Sequence, residues 1–426
     1  MEVDNEKQSQ KSNREAEDDQ LRSGLQILPR DTTLDILSRL PITSLVQFSF
    51  VNRAWHLLAH DPSLVELHYS KSAKKNPCLI FHCDYPIRNL LYFAELSDQP
   101  GNEIVRRIQT PFQEVMPEFH VLASCNGLLC LSDSLYGDPI YIYNPFTREH
   151  KELPRSRQFD DQQVVYGFGF NPTFCEYKVV KMVFFWMHWN QYVSPPGRFR
   201  NRRLRIHGST GSEVQVCSLD YRRSHWRSIG KAPYKVEGRA SEALVNGRLH
   251  WLTKPEISID LQYLQRIRRI ISFDLGDERF REVPRPKCGV LDRPNYHLAV
   301  LGGCLSAVIC SHYVHYEIWI MREYGVKESW VREFCIENHS PHLMKPMSQK
   351  PDRIWRNVLN QRPARVLCLL KNGNILIEYK GGVLVSHDPA TGQYEKLLFQ
   401  GLPDTFETVV HVGSLNWIDT LGTSTN

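Results

Sequence analysis

No stretch of the 426-residue chain is apolar for long enough to cross a bilayer. The longest run, around Met182 to Trp189, falls far short of the ~20 residues a spanning helix needs. The first residues carry no basic segment leading into an apolar stretch and a small-residue cleavage site, so a soluble, intracellular protein, cytoplasmic or nuclear, is expected. Signatures of catalysis are equally scarce. A G-x-x-x-x-G-K-S/T phosphate loop and a G-x-S-x-G nucleophile elbow are absent, and Gly167-Phe168-Gly169 lacks the third glycine and following helix of a dinucleotide loop. The Cys78/Cys83 and Cys125/Cys130 pairs do not have the usual zinc-knuckle spacing, and apolar residues fill the gaps. The 11 cysteines sit irregularly, mostly in apolar runs, which fits buried free thiols. A non-catalytic protein without metal or cofactor is the expectation.

What is present divides the chain unevenly. Residues 1–24 hold Glu2, Asp4, Glu6, Glu15, Glu17, Asp18 and Asp19 against Lys7, Lys11, Arg14 and Arg22, and almost nothing apolar. Such a tail cannot bury enough surface to order itself. Its charge of −3 leaves about +8 on the remainder of a chain whose net charge is +5. A helical block follows, over 25–70. Asp31 can cap a first helix bearing Leu34, Ile36 and Leu37, and Pro41 stops it. Thr43 or Ser44 can cap a second helix, on which Leu45, Phe48, Val51 or Asn52, and Trp55 recur at helical spacing. Asp61-Pro62 signals a third start, with Ser63 to His68 behind it. Some forty residues make a marginal core, so another surface is expected to complete it.

From 77 to about 420 the texture is that of strands: CLIFH, LLYFAEL, NGLLCL, YKVVKMVFF, NGRLHWL, IISFDL, EIWIM, NILIEY and VLVSHDP, separated by Asn-Gly, Gly-Gly, Asn-Pro and Asp-Pro turns. A loose repeat runs through them. Asn126-Gly127, Asn246-Gly247, Gly302-Gly303 and Asn372-Gly373 each open into an apolar strand, followed by a second strand ending in a polar residue and a third ending near Leu-Pro, Val-Pro or an aliphatic. A noisier copy spans VVYGFGF to HWRSIG. The repeat length suggests propeller blades, about six, with Pro77 to Leu96 and Glu407 to Trp417 sharing a closing blade. A twisted β-sandwich is the alternative. The fold class is thus α+β by segregation, a small helical block before an all-β region.

Arg198, Arg200, Arg202, Arg203 and Arg205 crowd a stretch that follows Ser194-Pro195-Pro196-Gly197, and Arg266, Arg268 and Arg269 form a second group. The first group reads either as a docking loop for an acidic target or as a solvated loop with no partner. Phe199 is the only aromatic inside it, which disfavours nucleic acid. His312, Tyr313, His315 and Tyr316 lie together without a carboxylate motif and read as strand or loop residues.

The front block resembles an F-box, the motif that binds a Skp-type adaptor in cullin–RING ubiquitin ligases. The resemblance rests on Leu28-Pro29, Asp31, Ile36-Leu37, Arg39-Leu40-Pro41, Leu45, Phe48, Val51-Asn52-Arg53-Ala54-Trp55 and Asp61-Pro62. Thr32 and Asn52 depart from the usual Leu and Cys. The β region is similar to the F-box-associated domain of plant F-box proteins, through Ser124-Cys125-Asn126-Gly127-Leu128-Leu129-Cys130, Tyr143-Asn144-Pro145-Phe146-Thr147-Arg148, Gly167-Phe168-Gly169-Phe170-Asn171-Pro172, Asn246-Gly247-Arg248-Leu249-His250-Trp251 and Ile271-Ser272-Phe273-Asp274-Leu275. It lacks the Trp-Asp pairs of WD repeats and the Gly-Gly spacing of kelch repeats. The resemblance implies adaptor contacts from Leu28, Pro29, Ile36, Leu37, Leu40, Pro41, Leu45, Phe48, Val51 and Trp55, some of them turned instead to the block's own core. It implies a substrate receptor of an SCF-type ligase, linked through the adaptor to cullin and RING subunits and holding a target protein by its β domain. Two rivals stand beside this: an adaptor-binding scaffold or inhibitor that delivers nothing, and a propeller enzyme or glycan-binding protein with a helical cap.

Overall fold

The computed structural model describes residues 28–83, 89–96, 102–112, 114–134, 137–159, 162–188, 208–219, 224–238, 240–241, 243–254, 256–260, 263–288, 296–311, 315–337, 364–379, 382–403, 406–416 and 418. Among the described residues four α-helices precede the strands: α1 (Arg30–Leu37), α2 (Ile42–Phe48), α3 (Arg53–Ala59) and α4 (Pro62–Ser72). None is long and apolar enough to cross a membrane. Behind them six antiparallel sheets form the blades of a propeller.

Blade 1 contains Phe406–His411, Cys78–Cys83, Leu90–Glu95 and Arg106–Ile108, in that order. Blade 2 follows with Phe119–Cys125, Leu128–Asp133, Ile140–Tyr143 and His150–Glu152. The noisier repeat is blade 3, from Gln163–Asn171 through Glu176–His188 and Gly208–Ser218 to Trp226–Gly230. Blades 4 to 6 begin at Ala243–Val245, Tyr296–Leu301 and Ala364–Leu369. Blade 4 also carries a two-stranded hairpin, Glu256–Asp260 with Tyr263–Ile267, between its second and third strands.

The ring closes through both ends of the chain. Phe406–His411 pairs antiparallel with Cys78–Cys83, Cys83 opposite Phe406 and Cys78 opposite His411, so the expected shared blade is real. A second clasp was not anticipated: Asn102–Ile104 adds in parallel to Tyr394–Gln400, giving blade 6 a fifth strand. Six apolar clusters among the described residues lie between successive blades. Blade faces are therefore buried on both sides, which is why runs such as LLCLSD and IYIY show no polar alternation.

Several repeat marks acquire a cause. Asn126-Gly127 and Asn246-Gly247 take positive φ at both positions (47° and 82°, 51° and 68°), the backbone of a tight two-residue hairpin. Asn144, Asp274 and Asp388 each close a turn by accepting backbone N–H groups on their own Oδ1, at 2.8–3.4 Å, from residues two and three further on. The Leu-Pro and Val-Pro endings serve the next blade: Trp226 donates its indole N–H to the Pro154 carbonyl at 2.7 Å, and Trp330 does the same to Pro284 at 2.8 Å. Gly167 and Gly169 make room for the neighbouring blade. A Cβ on Gly167 would lie 2.6 Å from Leu249 and 2.8 Å from Trp251, and one on Gly169 2.8 Å from Leu244.

The helix starts correct the sequence reading at two places. α1 begins at Arg30 behind Pro29, leaving Asp31 inside the first turn with no capping bond, where its charge still favours the helix dipole. α2 begins at Ile42 behind Pro41, so Thr43 and Ser44 are helical and cap nothing. Asp61 caps α4 as expected, accepting from Ser63 N–H at 2.9 Å, though that helix runs on to Ser72.

Candidate functional site

The single helix expected through Leu45 and Trp55 is two helices, broken at Ser49–Asn52. Asn52 is extended (φ −162°, ψ 174°), and its Oδ1 accepts the Trp55 N–H at 3.0 Å, capping α3. The residue that departs from the usual Cys thus supplies the bond that starts the Trp55 helix. Asn52→Ala is expected to cost about 1 kcal/mol, typical for a lost N-cap. Faster amide exchange confined to α3 would register it.

The block's inner face is Leu34, Leu37, Ile42, Leu45 and Leu64, all buried, with Leu40, Phe48, Trp55 and Leu58 half-buried around them. Phe48 and Trp55 rings meet at 5.4 Å. The marginal core is completed in part by the propeller itself, because Phe146 of blade 2 and Leu415 beyond the closing strand join the same cluster. The other surface that the block's size called for is thus, in part, the propeller's own.

A polar junction holds the two parts together. Tyr69 of α4 donates to Asn126 Oδ1 at 3.0 Å, and burial pushes its phenol up to about 12, which keeps it a donor. Asn416 donates to the Asn126 carbonyl at 2.6 Å, as does Ser414 at 2.9 Å. Asn144 Nδ2 donates to the carbonyls of Ser414 and Asn416 at 3.0 and 2.8 Å. Gly127 is required here twice over, by its φ of 82° and because a Cβ would fall within 2.8 Å of the Ser414 backbone nitrogen. Within the block, Arg30–Asp61 (2.5 Å) ties α1 to α4, and Asp35 receives Lys71 (2.5 Å) and Arg39 (3.0 Å). Hydrogen bonds from Lys71 and then Arg39 hold the Asp35 carboxyl below the usual range.

The structure sorts the ten sequence-selected apolar residues. Leu37 and Leu45 belong to the internal core, and Leu40, Phe48 and Trp55 lean on it. Leu28, Pro29, Ile36, Pro41 and Val51 face solvent. Phe50 and Leu57, which sequence spacing missed, are 78% and 60% exposed. Leu57 adjoins the half-buried Leu58, and Phe50 lies with Val51 in the break between α2 and α3, where helical spacing does not apply. Of the eleven large hydrophobics exposed in the described chain, five (Leu28, Ile36, Phe50, Val51, Leu57) are in this block. The exposed apolar side chains are thus concentrated in the helical block.

Other candidates fare differently. Arg198, Arg200, Arg202, Arg203 and Arg205 lie outside the described residues, as do His312 and Tyr313. Arg268 is buried against Glu237 (3.0 Å) and Arg269 pairs with Glu282 (3.0 Å), so the second arginine group is not a free cluster. Tyr316 is a buried blade residue. Cys83, Cys125, Cys130, Cys217 and Cys368 are buried free thiols, whereas Cys175 and Cys335 are exposed. Burial raises the Cys125 thiol to about 12, leaving it inert.

The helical block shares its core with the propeller and turns five large apolar side chains outward. The family model described as "F-box associated beta propeller domain" matches residues 78–362, and one described as "F-box-like" matches 25–67. F-box protein At3g07870 of Arabidopsis thaliana is 46% identical over 403 residues, covering 93% of each chain. F-box protein CPR1 of the same plant is 25% identical over 409 residues, covering 91% of this chain and 88% of that one. The chain belongs to the F-box proteins with an F-box-associated β-propeller domain. Proteins of this family act in general as non-catalytic recognition subunits, and the F-box in general binds Skp-type adaptors. Among solved structures, AofleA from Arthrobotrys oligospora is similar at a TM-score of 0.34 and 8% identity, over 76% of this chain and 84% of that one. Dipeptidyl peptidase 4 of Porphyromonas gingivalis is similar at 0.33 and 8%, over 74% and 46%. Neither likeness bears on function.

Proposed function

We propose that this chain is the substrate-recognition subunit of an SCF-type ubiquitin ligase. Its helical block docks a Skp-type adaptor, and through it cullin and RING subunits, while the propeller holds a target protein. The mechanism is proximity: a target lysine is kept at high effective concentration near the activated ubiquitin thioester. No residue of this chain takes part in the chemistry. The observation that carries the reading is the outward set Ile36, Phe50, Val51 and Leu57, apolar side chains that a partner's helices would cover.

The test is Ile36→Ala, Phe50→Ala and Leu57→Ala together, with capture of a Skp-type adaptor as readout. Because these side chains contribute little to the folded core, the melting temperature is expected to hold while adaptor affinity falls at least about 100-fold. Unchanged affinity overturns the assignment. Leu40→Ala with Trp55→Ala is the poorer choice, since both side chains support the internal core. A scaffold or inhibitor would capture the adaptor equally well. The ligase reading further requires a target that accumulates when the helical block is removed. The arginines at 198–205 belong to the same reading as a contribution to target capture.

A further inference from the structure

The helical block and the long inter-strand connections leave the propeller from opposite faces. α4 runs into Cys78, and Cys78 stands opposite His411, so the block sits at the end of blade 1 where its first strand finishes. Tyr69 touches the Asn126-Gly127 turn, which joins the first two strands of blade 2 at that same end. Strands alternate direction, so every connection from a second to a third strand emerges on the far face. The Glu256–Ile267 hairpin is one such connection.

At the foot of this hairpin, cations gather. Lys235 and Lys254 are brought together because Lys254 N–H donates to the Lys235 carbonyl at 2.8 Å, beside the Val236–Thr253 bridge. Thr253 binds the Arg269 backbone in both directions, at 3.0 and 2.9 Å. Arg285 donates to the Arg268 carbonyl at 3.0 Å. Lys235, Lys254, Arg268, Arg269 and Arg285 are thus neighbours, and Glu237 and Glu282 neutralise Arg268 and Arg269. Lys254 spends its ammonium on the neutral Gln163 side chain, 2.9 Å away, and Lys235 is exposed.

We propose that the far face of blade 4, at Lys235, Lys254 and Arg285, docks an acidic segment of the target protein. The inference rests on the reading that the propeller holds a target, and it names the target's chemistry. Glu237 and Glu282, set among the cations, repel the unbroken charge of a phosphate backbone. They tolerate carboxylates spaced along an extended peptide, where alternate side chains share one face. The surface stays open while the opposite face carries the adaptor-binding block.

The experiment uses the full chain and a fluorescent peptide of alternating Glu and Ser, with a single-stranded RNA of equal charge beside it. Peptide binding is expected to weaken as salt rises from about 50 to about 300 mM, where the Debye length shrinks from roughly 14 to 6 Å. Lys235→Glu with Lys254→Glu is expected to lower peptide affinity roughly tenfold or more, with melting temperature and adaptor capture unchanged. Peptide binding that ignores the two reversals overturns the proposal. So does tighter binding of the RNA, which assigns the face to nucleic acid. Carbodiimide coupling of Lys235 or Lys254 to carboxylates of residues 2–19 in the free chain also overturns it, by assigning the face to the chain's own acidic tail. Adaptor capture is read separately, so failure here and failure of the ligase reading are distinguishable.

Discussion

A chain ending at Leu402 is expected to have no folded propeller. The cut removes Phe406–His411, whose six residues pair with Cys78–Cys83 and form the inner strand of blade 1. Phe406, Leu415 and Ile418 leave three separate apolar clusters, at roughly 1.5–3 kcal/mol each. Glu378, 2% exposed, loses the Thr408 N–H at 2.8 Å, and Arg365 loses the Thr408 carbonyl and Glu407. Glu378 and Arg365 keep each other, but their lost hydrogen bonds leave a buried pair short of partners, at about 1–3 kcal/mol for each group. The total approaches the ~5–15 kcal/mol of a whole domain's stability. Loss of a cooperative melting transition is the readout, and a synthetic 403–418 peptide added in trans should restore it. A truncated chain that melts like the full one would show that closure does not hold the ring together.

Trp251→Ala is expected to destabilise the protein by about 3–5 kcal/mol, the usual range for a buried aromatic cut to a methyl group. Trp251 is fully buried between blades 3 and 4, and its indole N–H donates to the Tyr166 carbonyl of the neighbouring blade at 3.2 Å. Its ring occupies the space opened by Gly167. Gly167→Leu alone should also destabilise, by forcing a side chain onto Trp251 and Leu249. Combined with Trp251→Ala, however, it should recover part of the loss, since the new side chain fills the vacated space. Denaturant titration of the four proteins measures the coupling. Simple additivity would mean that Gly167 does not exist to accommodate Trp251.

These two experiments bracket what could be read in advance. The shared closing blade was legible because both chain ends carry strand-like runs with no other partner in the repeat count. Gly167-Phe168-Gly169 was legible as a failed dinucleotide loop and as part of a family motif, with no physical role attached. Its purpose, glycines toward blade 4 and Phe168 toward blade 2, depends on which blade lies on which side. Trp226 and Trp330 stood in two different copies of the repeat with nothing in the sequence to link them. Their regularity is visible only when each indole is seen to reach the proline carbonyl of the preceding blade.

The sequence alone determined what depends on near neighbours. Asn-Gly pairs that accept positive φ set the hairpins, Asp61-Pro62 started a helix, apolar runs made strands, and the repeat number set the blades. Tertiary structure decided everything that rests on distant partners. Leu45 turned inward and Phe50 outward, though both are apolar and five residues apart, because Phe146 and Leu415 cover one side of the block and no described residue covers Phe50. Arg268 left the candidate docking surface because Glu237, thirty-one residues away, took it into the protein. Side-chain burial is set by which surfaces meet, and that is information no local stretch contains.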